Sequence, residues 1–117
     1  MSYFTPETDP AIDFEKVDPL ALAMLNNARA MADMPFVITS HYRTSEHSVA
    51  VGGKNNDAHT EVPCSAFDIV CEDGHSCLRI ICGVVAAGFK RIGINMKNGH
   101  IHIDNSKDLP QDVMWVE

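Results

Sequence analysis

The sequence predicts an α+β fold, a small, mainly antiparallel sheet packed with two main helices. Three observations point there. Residues 18–34 carry a full set of helix signals, and residues 76–89 form a second apolar stretch of helical length. The remaining apolar runs are short, β-rich and bounded by turn residues.

In chain order, residues 1–17 read as an extended arm. In VDPLALAMLNNARAMADMP, Asp18 can cap a helix and Pro19 suits its first turn. Leu22, Leu25, Ala28 and Met31 then fall at helical spacing, and Pro35 ends the element. PFVITS predicts a short buried strand that delivers HYRTSEHS to a surface loop. VGGKNNDAH is rich in glycine and asparagine and predicts another loop. CSAFDIVC predicts a second strand. SCLRIICGVVAAGF, apolar nearly all round, predicts a well-buried second helix stopped by Gly88. KRIGIN and HIHID predict a hairpin, because MKNG between them holds the Asn98-Gly99 pair favoured in type I′ turns. No repeat or linker divides the chain, so residues 1–117 are expected to form one domain.

Composition narrows the function classes. At 117 residues and 45% hydrophobic content, a single core can form without disulfide or metal staples. The formal charge of −7 provides no overall basic footprint for nucleic acid or an anionic membrane. No stretch approaches the roughly 20 apolar residues of a membrane span. The acidic N-terminus lacks a charged region followed by an apolar run, so no signal peptide is read there. The expectation is a cytoplasmic monomer that is not an integral membrane protein. Cys64, Cys71, Cys77 and Cys82 lack the paired spacing of a zinc ribbon and read as reduced, mostly buried thiols. A Cys71–Cys77 or Cys77–Cys82 disulfide, or a redox role for the cluster, is the alternative.

Chemistry concentrates in His59, Asp68 and the pair His100/His102. Strand residues two apart share a face, about 7 Å from one another, so both histidines of HIHID point the same way and Asp104 continues that face. Asp68 lies between Phe67 and Ile69, where a carboxylate is costly unless paired or coordinated. Two histidines and one carboxylate make a usual catalytic zinc set, with a fourth position open. The residues alone leave open whether His100 or His102 would be the ligand, and whether His-x-His is only a solvated strand face.

The order ITSHYRTSEHSVAVGGKNNDAH, SAFDIV, HIHID resembles the zinc D-alanyl-D-alanine carboxypeptidase and endolysin L-alanyl-D-glutamate peptidase family, whose fold is shared with the Hedgehog signalling domain. The similarity runs from about Phe4 to Trp115. It implies a Zn2+ cofactor held by His59, Asp68 and His102. It implies that Arg43 binds a substrate carboxylate or the developing oxyanion, a task suited to a fixed, forked cation. His100 matches a family histidine beside the metal that binds or stabilises the reacting group. The resemblance further implies hydrolysis of peptidoglycan stem peptides or cross-links, with zinc-bound water as nucleophile. Many small members are phage lysis enzymes, reaching the wall by a separate export or holin route.

Three departures stand out. His41 replaces the family's glycine in S-G-Y-R. Asp68 follows His59 by nine positions rather than seven. Gly99 stands three residues before the last histidine, where carboxypeptidase-like members keep an Asp or Glu as general base. His100 and Glu61, the latter on the inserted segment, are the candidate replacements. Asp104 ranks below them because it lies past the ligand. The alternative function is a non-catalytic, zinc-stabilised binding domain of the same fold that has lost its base. His41, His47 and His75 read as surface or capping residues without a role.

Overall fold

The computed structural model describes residues 2–44, 50 and 58–117. His47, with half of the first predicted loop (45–48) and most of the second (51–57), lies outside the described residues. The fold is α+β, with helices α1 (Pro19–Ala32) and α2 (Gly74–Ala86) and strands β1 (Ile38–Ser40), β2 (Phe67–Val70), β3 (Arg91–Asn95), β4 (His100–Asp104) and β5 (Val113–Val116). The strands form one sheet in the order β1-β2-β4-β3-β5. Every neighbouring pair is antiparallel except β3 with β5.

Helix α1 starts as its sequence demands. The Asp18 side chain accepts from the Leu20 N–H, a cap worth about 1 kcal/mol. Its far end is closed from α2, where the Arg79 guanidinium donates to the Ala32 and Asp33 carbonyls. A cation there also meets the negative end of the helix dipole. Ala21, Leu25, Ala28 and Ala32 form the buried stripe. Met31, placed on that stripe by spacing, is 59% exposed instead. The buried face is built mainly of alanines, which lets α2 approach closely.

Helix α2 is capped by Asp73, which accepts from Ser76 N–H. It is not buried all round, as its apolar sequence suggested. Ile80, Gly83 and Val84 face inward, while Leu78 and Val85 are 63% and 56% exposed. The reason is the layer count: one sheet and one helix layer cover only one side of α2. All four cysteines are free thiols, Cys64 and Cys71 buried, Cys77 half-buried and Cys82 exposed.

The N-terminal arm is not extended. Turns close through Asp9 N–H to Thr5 O, Ile12 N–H to Asp9 O and Lys16 N–H to Asp13 O. Phe4 and Ile12 are thereby folded into the core, and the Asp13 side chain accepts from the Glu15 and Lys16 amides, the usual work of an aspartate in a turn. The β3–β4 connection also differs from the predicted type I′ turn. Asn95 pairs with His100 across four loop residues, and only Gly99 of the Asn-Gly pair has positive φ, 71°. A type I′ turn needs both central residues there. Strand β5 was not anticipated; VMWV is too short to declare itself without its neighbour β3.

Period-two alternation divides the sheet. Phe67, Ile69, Ile92, Ile101 and Ile103 join the core formed with the helices. The alternate residues face the other way. Across the strands, register puts Asp68, His102, Gly93 and Trp115 in one row. No described helix is long and apolar enough to cross a membrane.

Candidate metal centre

Three donor atoms converge at one end of that row. His59 Nε2 and Asp68 Oδ1 are 3.2 Å apart, His59 Nε2 and His102 Nδ1 are 3.2 Å apart, and His102 Nδ1 and Asp68 Oδ1 are 3.1 Å apart. Asp68 and His102 are brought together by the β2–β4 register, and His59 by a 3-10 turn, Ala58–Thr60, that precedes β2. A tetrahedral zinc with ligands at about 2.0–2.2 Å spaces adjacent donors about 3.3 Å apart, so the triangle has the size such an ion requires.

The protonation pattern makes the same demand. His59 Nδ1 faces the His41 carbonyl, which can only accept, so Nδ1 carries hydrogen and Nε2 offers a lone pair. His102 Nε2 lies 2.6 Å from Asp104 Oδ2, so Nε2 carries hydrogen and Nδ1 offers a lone pair. Two lone pairs and a carboxylate oxygen therefore point at one place, an arrangement that repels itself unless a cation or a proton sits among them. His59, Asp68 and His102 are the described residues that could together hold a metal ion. Imidazoles oriented by a carbonyl and a carboxylate are the usual support of such ligands.

Electrostatics follow from these contacts. Burial by itself would raise the Asp68 pKa, but the His102 and His59 imidazoles beside its Oδ1 favour the charged form and hold the carboxyl well below the usual carboxylate range. Burial would lower that of His102, yet its bonds to Asp104 and Asp68 raise it to about 9. The centre is thus built to keep positive charge. Asp104 is itself fully buried, and burial opposes its ionisation. His102, the Ser106 amide and Arg91 outweigh that cost, with Arg91 Nε donating to Asp104 Oδ1 at 2.8 Å.

His100 lies two residues from His102 along β4, in the row Val70–His100–Asn95. It borders a cleft of about 490 Å³ with Thr39, Val70, Glu72 and the hairpin residues Met96, Lys97, Asn98 and Gly99. The backbone N–H of Arg43 donates to the carbonyl of His59. Glu61 accepts from Ser106 Oγ at 2.6 Å, and the Ser106 amide donates to Asp104 Oδ1. Gly99 occupies the left-handed region and supplies no side chain.

His41 is neither a surface nor a capping residue. It is 1% exposed and stacked on Phe67. Its Nδ1 accepts from the Asp13 amide, so Nε2 donates to the Cys64 carbonyl. Its own carbonyl orients His59. Nothing in the sequence could mark a role exercised through a backbone oxygen. Asp104 was visible as a residue sharing the histidine face, but its partner Arg91 was not.

A family model described as peptidase M15 matches residues 5–104. No curated protein matches the chain.

Proposed function

The chain belongs to the peptidase M15 family, and on that premise we propose that it is a zinc-dependent peptidase acting on the peptides of bacterial peptidoglycan. The observation that carries the proposal is the triangle of lone-pair donors from His59, Asp68 and His102. Zinc bound by three protein ligands with one position open supplies Lewis acidity and an activated water.

The chain's own residues do the rest. Arg43, carried next to His59 by the backbone hydrogen bond, orients a substrate carboxylate or receives the negative charge that develops on the carbonyl. His100 faces the cleft two residues from His102 along β4 and contacts the substrate beside the reacting bond. Glu61 and His100 are the groups offered for proton transfer, since Gly99 cannot serve. Ser106 holds Glu61 by one hydrogen bond. The second reading, a zinc-stabilised binding domain without catalysis, is favoured by Gly99 alone: the position is a turn residue at φ 71° that carries no side chain to take a proton.

The test is digestion of purified sacculi and of synthetic stem peptides by the zinc-loaded protein, with and without chelator. Release of free D-alanine would identify a carboxypeptidase, and new amino termini an endopeptidase. Cleavage abolished by chelator and reduced in His100→Ala and Glu61→Ala is the expected result. Absence of cleavage across several wall chemistries would leave the binding-domain reading.

A further inference from the structure

We propose that Trp115 is a positioning residue for the metal centre, seated on Gly93 so that its indole holds the Arg91–Asp104–His102 chain in place. The inference rests on the assignment of His102 as a metal ligand. It goes beyond it by giving work to β5, a strand outside the matched segment 5–104.

Four contacts carry the argument. Gly93 pairs with His102 on one side and with Trp115 on the other. A Cβ on Gly93 would stand 2.7 Å from the indole Cε2 and Nε1, so the ring lies directly on bare backbone. There the indole reaches the His102 ring, with centroids 5.6 Å apart. The Arg91 guanidinium stands 5.0 Å from the indole centroid, a cation on an aromatic face.

Arg91 is in turn committed on its other donors. Nε binds Asp104 Oδ1 at 2.8 Å and Nη1 binds the Pro110 carbonyl at 2.6 Å. Asp104 then accepts the Nε2 hydrogen of His102. The indole therefore borders the chain at both ends, at the arginine and at the imidazole. With the ring gone, the guanidinium and the imidazole would each gain room to rotate, and the nitrogen of His102 turned toward Asp68 would no longer be set. The indole is itself anchored, its Nε1 donating to Glu117 Oε1 at 3.1 Å.

Trp115 is the single tryptophan of the chain, so its emission reports on this place alone. Zinc affinity is measured by competition with a chromophoric chelator, and cobalt(II) is titrated for its visible spectrum and for quenching of emission. The wild type is expected to bind one cobalt with emission quenched in step. Trp115→Leu is expected to bind zinc ten- to a hundredfold more weakly, the usual loss when support of a metal ligand is removed, with altered cobalt bands. Trp115→Phe, which keeps an aromatic face, is expected to recover most of that loss.

A folded Trp115→Leu protein with wild-type zinc affinity and cobalt spectrum would overturn the proposal and leave the metal centre standing. A wild type that binds neither ion would overturn the metal centre itself, and the proposal with it. If Trp115→Leu does not fold, the wild-type titration decides: emission quenched at one equivalent of cobalt supports the proposal, and unchanged emission overturns it.

Discussion

His102 Nε2 stands 2.6 Å from the fully buried carboxylate of Asp104, which turns the ring's other nitrogen toward Asp68 and His59. Replacing Asp104 by Asn keeps the shape and removes the charge. Zinc affinity is expected to fall about ten- to a hundredfold, read by chelator competition. Asp104→Ala additionally leaves Arg91 buried without its anion, a loss of about 3–5 kcal/mol in denaturant unfolding. An Asn variant with undiminished affinity would show that the pair does not orient the ligand.

Metal content separates the residues of the centre from those around it. His59→Ala, Asp68→Ala and His102→Ala are each expected to lose zinc on dialysis. His100→Ala and Arg43→Ala should retain one zinc per chain and lose peptidase activity, by about 10²–10⁴-fold for His100 if it transfers the proton. Elemental analysis of the dialysed proteins is the check. Retention of zinc by His102→Ala, with loss in His100→Ala, would reverse the assignment.

Zinc binding should depend on pH in a defined direction. Hydrogen bonds to Asp104 and Asp68 raise the His102 pKa to about 9 against the opposing effect of burial. Below that value a proton competes for Nδ1, so affinity should climb by up to about tenfold per pH unit between about pH 7 and 9, then level off. Asp104→Asn should move the plateau to lower pH. A flat profile over that interval would contradict the assigned proton.

His41 makes a prediction about acid stability. Burial is the main reason its pKa lies below the ordinary 6.5. The unfolded chain therefore takes up this proton more readily, and the stability His41 contributes is present above about pH 6.5 and lost as pH falls toward the folded value. Urea midpoints should drop more steeply between about pH 6.5 and 5 in the wild type than in His41→Gln. Parallel slopes would mean that another group dominates.

Gly93→Ala tests the close approach of the indole. The added Cβ would meet the Trp115 ring at 2.7–2.8 Å. Overpacking of this kind costs about 1–3 kcal/mol. Combined with Trp115→Leu, much of that cost should vanish, a non-additivity that denaturant unfolding of the four proteins would measure. Strict additivity would place the clash elsewhere.

By itself the sequence determined both described helices, four of the five strands and the set of residues from which a metal site could be made. Asp18 and Pro19 announce α1, short β-rich runs bounded by turn residues announce β1, β2, β3 and β4, and the order of His59, Asp68 and His-x-His carries the family resemblance. Local signals suffice for these because caps and turn residues act over a few positions.

Only the tertiary structure decided how the set is joined. It brings His102 to His59 and Asp68 and sets His100 two rows away on the same face. It recruits the His41 carbonyl, Asp104, Arg91 and the indole of Trp115 around these three donors. It also folds the N-terminal arm into turns and leaves one side of α2 exposed. Each of these outcomes depends on strand register or layer packing between segments distant in the chain. Alternation shows that a strand has two faces, but not which residue of the neighbouring strand stands opposite, and a slip of one residue in β4 would turn His102 to the other side.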